Sequence, residues 1–262
     1  DGSTVYVNSY YDSLGRKYKE SNPFKTGEAE YVTETTAYDV LNRAKSITHP
    51  DGSTSSADYH GLLTTYTNQE NQVKRAQLNA IGQIIESTDD NYKKVSYGYD
   101  AMGNQSLVKD EANNEIRTTY DIRGNRLSIN DPDKGLWTSV YNVRGQLITN
   151  TDAKGQTTCS AYDTLDRKIK RIDLYQGTEA QAKAGCTGDA SNPTLTTWHY
   201  DTALGKGIGK LHQVRGESGY LKTNTYDHLG RSITQDTTID GSTYRTGRVF
   251  YPNSDRVKQQ TY

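Results

Sequence analysis

The stretch YDIRGNRLSINDPDKG, residues 120–135, is polar and rich in Gly and Asp, and in isolation it is typical of a loop. It recurs at a fixed interval. YNVRGQLITNTDAKG begins 21 residues later at Tyr141, and YDAMGNQSLVKDEANN begins 21 residues earlier at Tyr99. Self-similarity at a fixed period indicates an array of equivalent structural units, so the stretch is interpreted as part of a repeat.

The Tyr-Asp pair that opens this stretch marks further copies along almost the whole chain. Tyr99, Tyr120, Tyr141 and Tyr162 are each 21 residues apart, and LNAIGQ (78–83) continues the same phase with Leu in the tyrosine position. Looser copies flank this centre: YDSLGR (11–16), YDVLNR (38–43), YHGLL (59–63), YDTALGK (200–206), YDHLGR (226–231) and YPNSDR (251–256). The residues that we assign to the structural repeat motif are Tyr11, Asp12, Tyr38, Asp39, Tyr99, Asp100, Gly103, Tyr120, Asp121, Gly124, Tyr141, Gly145, Tyr162, Asp163, Tyr200, Asp201, Tyr226, Asp227 and Gly230.

Each repeat contains two turn sequences separated by short strand-like runs. The first turn is Asp-x-x-Gly, as in Asp121 to Gly124, because an Asp side chain accepts hydrogen bonds from nearby backbone and Gly adopts positive φ without strain. The second turn is DPDKG (131–135). In RLSIN (126–130) and LWTSVY (136–141), alternate residues share a face, which is typical of strands. One period of 21 residues therefore predicts one β-hairpin with two turns.

The composition favours a thin sheet over a two-layer core. Hydrophobic residues make up only 32% of the 262 residues; Tyr supplies 21 of them and Phe only 2. Ten or so hairpins give about twenty strands, and an open sheet seldom exceeds ~10 strands without curling or splitting. We therefore predict an all-β array of 21-residue hairpins, coiled into a spiral or shell-like sheet. Tyr rings are expected to pack between neighbouring hairpins while their hydroxyls stay in water.

The balance of acidic and basic residues limits which classes of partner the sequence predicts. The chain carries 31 basic and 32 acidic residues and a net charge of −1, which gives no electrostatic reason to expect nucleic acid or an anionic membrane. No run approaches the ~18 apolar residues of a membrane span. We expect neither a nucleic-acid partner nor a membrane span.

One insertion interrupts the array, because Tyr162 and Tyr200 lie 38 residues apart instead of 21. The additional sequence falls in 175–193, which we assign as a loop insertion. TEAQAKAG begins with a capping-box pattern of Thr178 and Gln181 and is followed by good helix formers. The sequence therefore predicts one short helix on a surface loop, with Gly185 as its stop.

The insertion also contains Cys186, and the other cysteine of the chain is Cys159. A disulfide between them would pin the loop to its parent hairpin if the protein is exported. Two free thiols are an equally plausible interpretation.

These repeats resemble the YD repeats of Rhs proteins, which occur in bacterial polymorphic toxins, insecticidal toxin complexes and animal teneurins. YDSLGR, YDHLGR and YDIRGNRLSI with its DPDKG turn carry the resemblance, and HYDTALGKGIGKLHQV (199–214) and TYDHLGRSITQDTTIDGSTY (225–244) are similar to the bacterial branch. The resemblance implies a hollow β-spiral shell that encloses a toxic polypeptide. It also implies that the partners are an enclosed toxin and the remaining repeats of a longer parent shell, and that the location is secreted or cell-surface, in bacteria.

The resemblance does not extend to catalysis. Family shells are followed by an Asp-Pro-rich junction at which they cleave themselves, whereas NDPDKGLW (130–137) lies inside an ordinary repeat and lacks the family spacing. We therefore expect a segment of a shell without enzymatic activity.

Other candidate chemistry has plainer explanations, and we predict no catalytic, cofactor-binding or metal-binding residue. The histidines lack metal-ligand spacing; they are His49, His60, His199, His212 and His228. Asp131 and Asp133 do not complete a calcium loop, which requires a Glu at its twelfth position. GKGIGK (205–210) lacks the full phosphate-binding pattern. Catalytic residues are normally singular, so Asp residues that recur every 21 positions are interpreted as structural.

The preferred interpretation is one repeat array over 1–262, as a segment of a longer secreted shell. The alternative is a cell-surface adhesion or carbohydrate-binding module, because rows of Tyr with Asn and Asp can also stack on sugars. A glycosidase is a weaker alternative, since sequence does not give the separation of two carboxylates.

Overall fold

The computed structural model describes residues 4–187 and 194–262, and strands dominate it. The predicted all-β class is confirmed. The chain divides into two compact units, Asp1–Arg117 and Thr118–Tyr262. None of the helices in the described ranges has the length and apolar character needed to cross a bilayer.

The first unit consists of short antiparallel strands. They are β1 (Val5–Tyr6), β2 (Ser9–Tyr11), β3 (Lys17–Ser21), β4 (Phe24–Lys25), β5 (Val32–Tyr38), β6 (Ala44–Thr48), β7 (Thr54–His60), β8 (Leu63–Thr67), β9 (Val73–Leu78), β10 (Ile84–Thr88), β11 (Lys94–Tyr99) and β12 (Gln105–Asp110), followed by β13 (Glu115–Tyr120), which runs into the second unit. β1 pairs with β4, and the other strands pair antiparallel with their neighbours in chain order.

The second unit continues the same pattern. Its strands are β14 (Arg126–Asp131), β15 (Gly135–Tyr141), β16 (Leu147–Thr151), β17 (Thr157–Tyr162), β18 (Lys168–Ile172), β19 (Leu195–Tyr200), β20 (Leu211–Arg215), β21 (Leu221–Tyr226), β22 (Ser232–Ile239), β23 (Ser242–Phe250) and β24 (Val257–Thr261). From β14 to β24, each strand pairs antiparallel with the next. A 3-10 turn, Glu217–Gly219, connects β20 and β21.

The first turn of each repeat is held by its Asp. Asp121 Oδ1 accepts hydrogen bonds of 2.9 Å from the backbone N–H groups of Arg123 and Asn125, and Gly124 N donates to the Asp121 carbonyl at 3.0 Å. Gly124 has a φ of 82°, where a side chain is strained. Asn42 and Asp166 occupy the equivalent position in two other copies, with φ of 62° and 65°. These are residue types that tolerate the left-handed region better than most.

The hairpins also contain a β-bulge that the sequence pattern does not indicate. In the hairpin of β15 and β16, Val140 lies opposite Thr149 and Tyr141 opposite Leu147, so Ile148 is an additional residue on β16. The same register shift occurs beside Tyr11, Tyr38, Leu78, Tyr99, Tyr162, Tyr200, Tyr226 and Phe250. Bulges increase local twist.

In two of the looser copies, the structure of the turn differs from the one that the sequence alignment predicts. In YHGLL, His60 pairs directly with Leu63 across a two-residue turn without a register shift. In YPNSDR, Phe250 takes the tyrosine position beside the bulge, and Tyr251 takes the place of the turn Asp, with its N–H bonded to the Arg256 carbonyl. The prediction that Tyr251 is the repeat tyrosine was therefore wrong by one residue.

The predicted helix is present in the insertion as α1 (Glu179–Lys183), the single α-helix of the described residues. Thr178 and Gln181 form the predicted capping box, with Gln181 N donating to Thr178 Oγ1 and Thr178 N donating to Gln181 Oε1. The helix ends before Gly185, which has a φ of 91°. Residues 188–193 of the predicted insertion lie outside the described residues.

The densest packing in the second unit surrounds this helix. The buried cluster consists of Cys159, Ala161, Ile172, Tyr175, Ala182 and Cys186, with Leu195 packed against it. Cys159 and Cys186 are joined by a disulfide bond across 27 residues of sequence, and the Tyr175 hydroxyl donates to the Thr187 carbonyl at 2.9 Å. The insertion is therefore fastened to the strands β17 and β18 by both covalent and apolar contacts.

Candidate functional site: the tyrosine ladder

The repeat tyrosines donate hydrogen bonds to the backbone of the preceding hairpin. The donor and acceptor pairs are Tyr59 to Ala44, Tyr99 to Ile84, Tyr141 to Arg126, Tyr162 to Leu147, Tyr200 to Lys168 and Tyr226 to Leu211, over 2.7 to 3.1 Å from hydroxyl to carbonyl oxygen. We call these six donors the tyrosine ladder. The sequence does not predict these hydrogen bonds, in which each ring lies across the neighbouring hairpin and its hydroxyl donates to a carbonyl there.

The accepting carbonyl has a defined place in the hairpin. Leu147 lies opposite Tyr141 at the bulge and accepts from Tyr162, the tyrosine of the next repeat. Lys168 lies opposite Tyr162 and accepts from Tyr200 in the same way. The acceptors Ala44, Ile84 and Leu211 have the same place, so five of the six ladder bonds join the tyrosine of one repeat to the bulge of the repeat before it.

The 17 additional residues between Tyr162 and Tyr200 do not interrupt the ladder. The usual separation of donor and acceptor is 15 residues, and from Tyr200 to Lys168 it is 32. The difference equals the length of the insertion, so the hairpins on its two sides meet as ordinary neighbours. This is consistent with an insertion that projects from the array without altering it.

In most copies the Asp that follows the tyrosine pairs with the residue four positions later. In four copies that residue is Arg, and its Nε lies 2.6–2.7 Å from the carboxylate in Asp12–Arg16, Asp39–Arg43, Asp163–Arg167 and Asp227–Arg231. In two copies an amide takes its place: Asn104 Nδ2 donates to Asp100 and Asn125 Nδ2 donates to Asp121, both at 2.9 Å. The turn is closed in both cases, with or without a second charge.

The Arg of this pair also covers the aromatic ring of the next repeat. The Cζ atom of Arg16 lies 4.0 Å from the ring centroid of Tyr38, and that of Arg43 lies 3.9 Å from the ring of Tyr59. In the second unit the equivalent pairs are Arg167 over Tyr200 at 4.3 Å and Arg231 over Phe250 at 4.6 Å. A cation over the face of an aromatic ring is attracted by its quadrupole. Phe250 has no hydroxyl to donate to a carbonyl, but its ring keeps the contact with the Arg231 guanidinium.

Turn-to-turn hydrogen bonds add a second connection at the same edge. Arg144 Nη1 donates to the Thr164 carbonyl at 3.2 Å and to Asp166 Oδ1 at 2.7 Å, one repeat further along. In the first unit, Gln83 Nε2 donates to the Gly103 carbonyl at 3.2 Å. Arg167 forms a two-pronged pair with Asp201, at 3.0 and 2.8 Å. Neighbouring repeats are therefore connected through side chains as well as through the sheet.

This environment lowers the pKa of the turn carboxyls. For Asp121, the Asn125 side-chain amide has the largest effect, and the backbone N–H groups of Asn125 and Arg123 lower its pKa further. For Asp163, partial desolvation is the largest single effect and raises the pKa, but the N–H groups of Arg167 and Leu165 together outweigh it and leave the pKa lowered. Burial raises the pKa of the hydroxyl of Tyr162 and of Tyr226.

Not all predicted motif residues join the ladder. Tyr11 is 62% exposed. The Tyr38 hydroxyl lies 3.4 Å from the Lys17 carbonyl, which is further than in the six ladder bonds. Gly103, Gly145 and Gly230 close their turns with positive φ, as Gly124 does.

The residues considered for other chemistry are not brought together. His49 contacts Ser55 at 3.0 Å, His199 contacts Thr197 at 3.1 Å, and His212 contacts Thr202 at 2.6 Å. Within 4–187 and 194–262, no group of three or more His, Cys, Asp or Glu residues is placed to hold a metal ion. The recurring carboxylates are instead committed to their own turns by two or more N–H donors each.

The fold has counterparts among solved structures. The crystal structure of TcdB2-TccC3 aligns with 97% of this chain and 19% of its own chain, with a TM-score of 0.56 and 13% identity. A mutated Photorhabdus luminescens Tc holotoxin pore aligns with 96% of this chain and 18% of its own, with a TM-score of 0.54 and 14% identity. At these identities the similarity concerns the fold alone. No protein-family model matches the chain.

One similarity is also evident in sequence. The double-stranded DNA deaminase toxin A of Burkholderia cenocepacia (strain H111) is 30% identical over 117 residues, which are 43% of this chain and 8% of that protein. The resemblance to toxin-associated Rhs/YD-repeat proteins is confirmed. The YD-repeat array thus matches a small part of each of these longer proteins.

Proposed function

We propose that the chain is a wall segment of a secreted bacterial Rhs-type shell that encloses a toxic polypeptide. The observation that supports this most is the tyrosine ladder, in which six hairpins are joined to the one before them by the same contact. Such an array extends by addition of equivalent units, because each unit contacts only its neighbours. The similarity in fold to TcdB2-TccC3 and in sequence to a deaminase toxin supports the association with toxins.

The polar strand faces fit an enclosing role. Strands such as β7, TSSADYH, and β22, SITQDTTI, carry Ser, Thr, Asp and Gln where a two-layer protein would carry aliphatic residues. A wall of this kind offers a confined chain little apolar surface on which to collapse. The role proposed for the array is therefore to hold its cargo without catalysing a reaction.

Exposed aliphatic side chains at the YD turns fit a wall built of adjacent coils. Val40, Ile122 and Val143 follow the turn Asp or Asn directly and are 97%, 88% and 84% exposed. Leu41 is exposed beside Val40, and other YD turns expose Leu14, Ile81, Met102, Leu165 and Leu229. Isolated exposed apolar residues are ordinary, but one in each successive turn forms an apolar edge. In the proposed shell the next coil covers this edge.

The proposal is tested by limited proteolysis of the parent protein with an epitope tag on its toxic region. With the repeats intact, we expect the tagged region to resist protease until the shell is unfolded. Replacing two ladder residues, Tyr162→Ala with Tyr226→Ala, should expose the tagged region, whereas Tyr244→Ala, at a residue that is 64% exposed, should not. Digestion of the tagged region at the same rate with and without the repeats would contradict enclosure.

A further inference from the structure

A small pocket on one face of β14, β15 and β16 lies apart from the tyrosine ladder donors. It has a volume of about 260 Å³ and is lined by Arg126, Asp131, Lys134, Trp137, Ser139 and Asn150. Cross-strand pairing brings these residues together, since Trp137 lies opposite Ile129 and Ser139 lies opposite Asn150. The second turn of the repeat, 131–135, forms one side of the pocket.

The aromatic residue in this pocket breaks the repeat. The equivalent positions of the neighbouring regular copies hold Val95, Ile116 and Thr158, all β-branched residues suited to a strand. Trp137 is 36% exposed, and its Nε1 donates to the Lys134 carbonyl at 3.3 Å, which fixes the orientation of the ring. Residues that maintain the array recur at the period, whereas this one occurs once among the regular copies. A partly exposed indole held in one orientation is therefore a candidate for contact with a ligand.

The polar groups around the indole supply both cations and hydrogen-bond partners. Among the residues that the structure describes, Arg126 and Lys134 form no ion pair with a carboxylate. Asn150 accepts from Ser139 Oγ at 3.1 Å through Oδ1, a bond that does not use its two amide hydrogens. Asp131 Oδ1 accepts from the backbone N–H groups of Asp133 and Lys134. With Arg126 and Lys134 positive and Asp131 negative, the lining carries a net positive charge.

We propose that this pocket binds one residue of an acidic sugar, a pyranose that carries a carboxylate. The apolar face of a pyranose stacks on the indole, as flat apolar groups do on Trp. The carboxylate pairs with Arg126 and Lys134 in charge-assisted hydrogen bonds, while Asp131 and Asn150 bind ring hydroxyls. A few convergent polar groups around an aromatic surface are typical of small-molecule sites. This binding goes beyond the proposed enclosing role and gives the wall a contact with acidic polysaccharide.

The test uses the 262-residue chain with Trp198→Phe, so that all tryptophan fluorescence comes from Trp137. The probes are a galacturonic acid trisaccharide and a neutral galactose trisaccharide. We expect the acidic sugar to shift Trp137 emission with a dissociation constant on the order of 1 mM, as for a ligand of this size in a shallow site. The neutral sugar should bind about 10-fold more weakly, because it lacks the charge-assisted pair. No change in emission with the acidic sugar would overturn the proposal.

Substitutions distinguish binding of the acidic sugar in this pocket from non-specific electrostatic attraction of the sugar to the protein surface. By calorimetry, Trp137→Ala should abolish binding of the acidic sugar, and Lys134→Gln should remove the preference for it over the neutral sugar. Lys154→Gln, in the equivalent turn of the next repeat, is the matched control and should change neither. All three side chains are exposed, so we expect the circular dichroism spectrum of each variant to match that of the unmodified protein. Unchanged binding by Trp137→Ala, or equal losses for Lys134→Gln and Lys154→Gln, would contradict the site.

Discussion

At the scale of the residue, the repeat tyrosine has two functions that a smaller or less polar side chain cannot combine. Its ring spans the distance to the neighbouring hairpin, and its hydroxyl reaches the carbonyl beside the bulge there. In Tyr162 the hydroxyl donates to Leu147 at 3.0 Å, while Leu147 itself lies opposite Tyr141. At these six positions Phe would keep the ring contact and lose the hydrogen bond. At Phe250, where the hydroxyl is absent, the contact is limited to the Arg231 guanidinium over the ring.

Alkaline titration should distinguish these tyrosines from the others. Burial raises the pKa of Tyr59, Tyr162, Tyr200 and Tyr226 above the ordinary value of 10.0. Because the folded state favours the protonated phenol, this stabilisation is complete below pH 10.0 and is lost as the pH rises through the raised values. We expect tyrosinate absorbance to rise in two phases, with the later phase accompanied by unfolding.

The control for that titration is the double substitution Tyr162→Phe with Tyr226→Phe. It should reduce the amplitude of the later phase and leave the earlier phase unchanged. A single phase centred at the ordinary tyrosine pKa, in both proteins, would contradict the ladder.

Acid should weaken the turns for the opposite reason. The pKa values of the turn carboxyls lie below the ordinary 3.8; these residues are Asp12, Asp39, Asp100, Asp121, Asp163 and Asp227. A lowered folded pKa contributes stability that is present above 3.8 and is lost as the pH falls through the folded values. We expect the urea midpoint to be constant from neutral pH to about pH 5 and to fall below about pH 4.

The matched variant for the acid experiment is Asp121→Asn, which keeps an oxygen acceptor in the turn but removes its titration. Its urea midpoint should be lower at neutral pH and should depend less on pH between about 4 and 2. A midpoint that is equally sensitive to acid in both proteins would place the titrating groups elsewhere.

At this scale the sequence predicts the turn chemistry but misses the contacts between repeats. Asp-x-x-Gly is a local pattern, so its hydrogen bonds to the next residues follow from the side chain alone. The partner of the tyrosine hydroxyl lies 15 residues away, and its position depends on a bulge that no residue type announces. The sequence does contain a signal for the contact between an Arg and the aromatic ring of the next repeat. Four arginines occupy the same position in their copies: Arg16, Arg43, Arg167 and Arg231.

At the scale of the element, the hairpin and the insertion have different sources of stability. A regular hairpin has few buried side chains and depends on cross-strand pairs and on its contacts with the next hairpin. The insertion brings a compact cluster in which Cys159, Ile172, Ala182 and Cys186 are almost fully buried. The sequence predicts α1 because a capping box and a Gly stop are local signals, whereas the burial of Tyr175 and Ile172 against it depends on tertiary structure.

Removal of the disulfide should destabilise the insertion and leave the stability of the other hairpins unchanged. For a loop of 27 residues, the chain-entropy model gives a loss of about 3–4 kcal/mol when the bond is removed. In Cys159→Ala with Cys186→Ala, we expect faster hydrogen exchange in α1 and in Tyr175, and little change in β21 to β24. The unmodified protein should show no titratable thiol when denatured without reductant. Two titratable thiols, or unchanged exchange in α1, would contradict a structural disulfide.

At the scale of the whole molecule, the chain is a series of local contacts. Apart from β1 and β4, the strands whose pairing is described pair with neighbours in the chain, and each described ladder bond joins adjacent repeats. Stability in such an array is approximately a sum of unit and interface terms. The sequence predicts this organisation because the period is written directly in it. The course of a long array depends on the twist that each bulge adds, and no sequence pattern here encodes the bulge.

The tyrosine hydroxyls of the ladder hold neighbouring repeats together, and matched sets of Tyr→Phe substitutions test their contribution. Each set removes five hydroxyls and keeps five rings. The ladder set is Tyr59, Tyr99, Tyr141, Tyr162 and Tyr226, and the control set of exposed tyrosines is Tyr31, Tyr66, Tyr244, Tyr251 and Tyr262.

The measurement is the free energy of unfolding in urea for both sets. Each ladder bond should contribute about 0.5–1.5 kcal/mol, so the ladder set should lose roughly 2.5–7.5 kcal/mol in total. Exposed substitutions usually stay within about 0.5 kcal/mol each, so the control set should remain close to the unmodified protein. Equal losses in the two sets, or a ladder set as stable as the unmodified chain, would contradict the account.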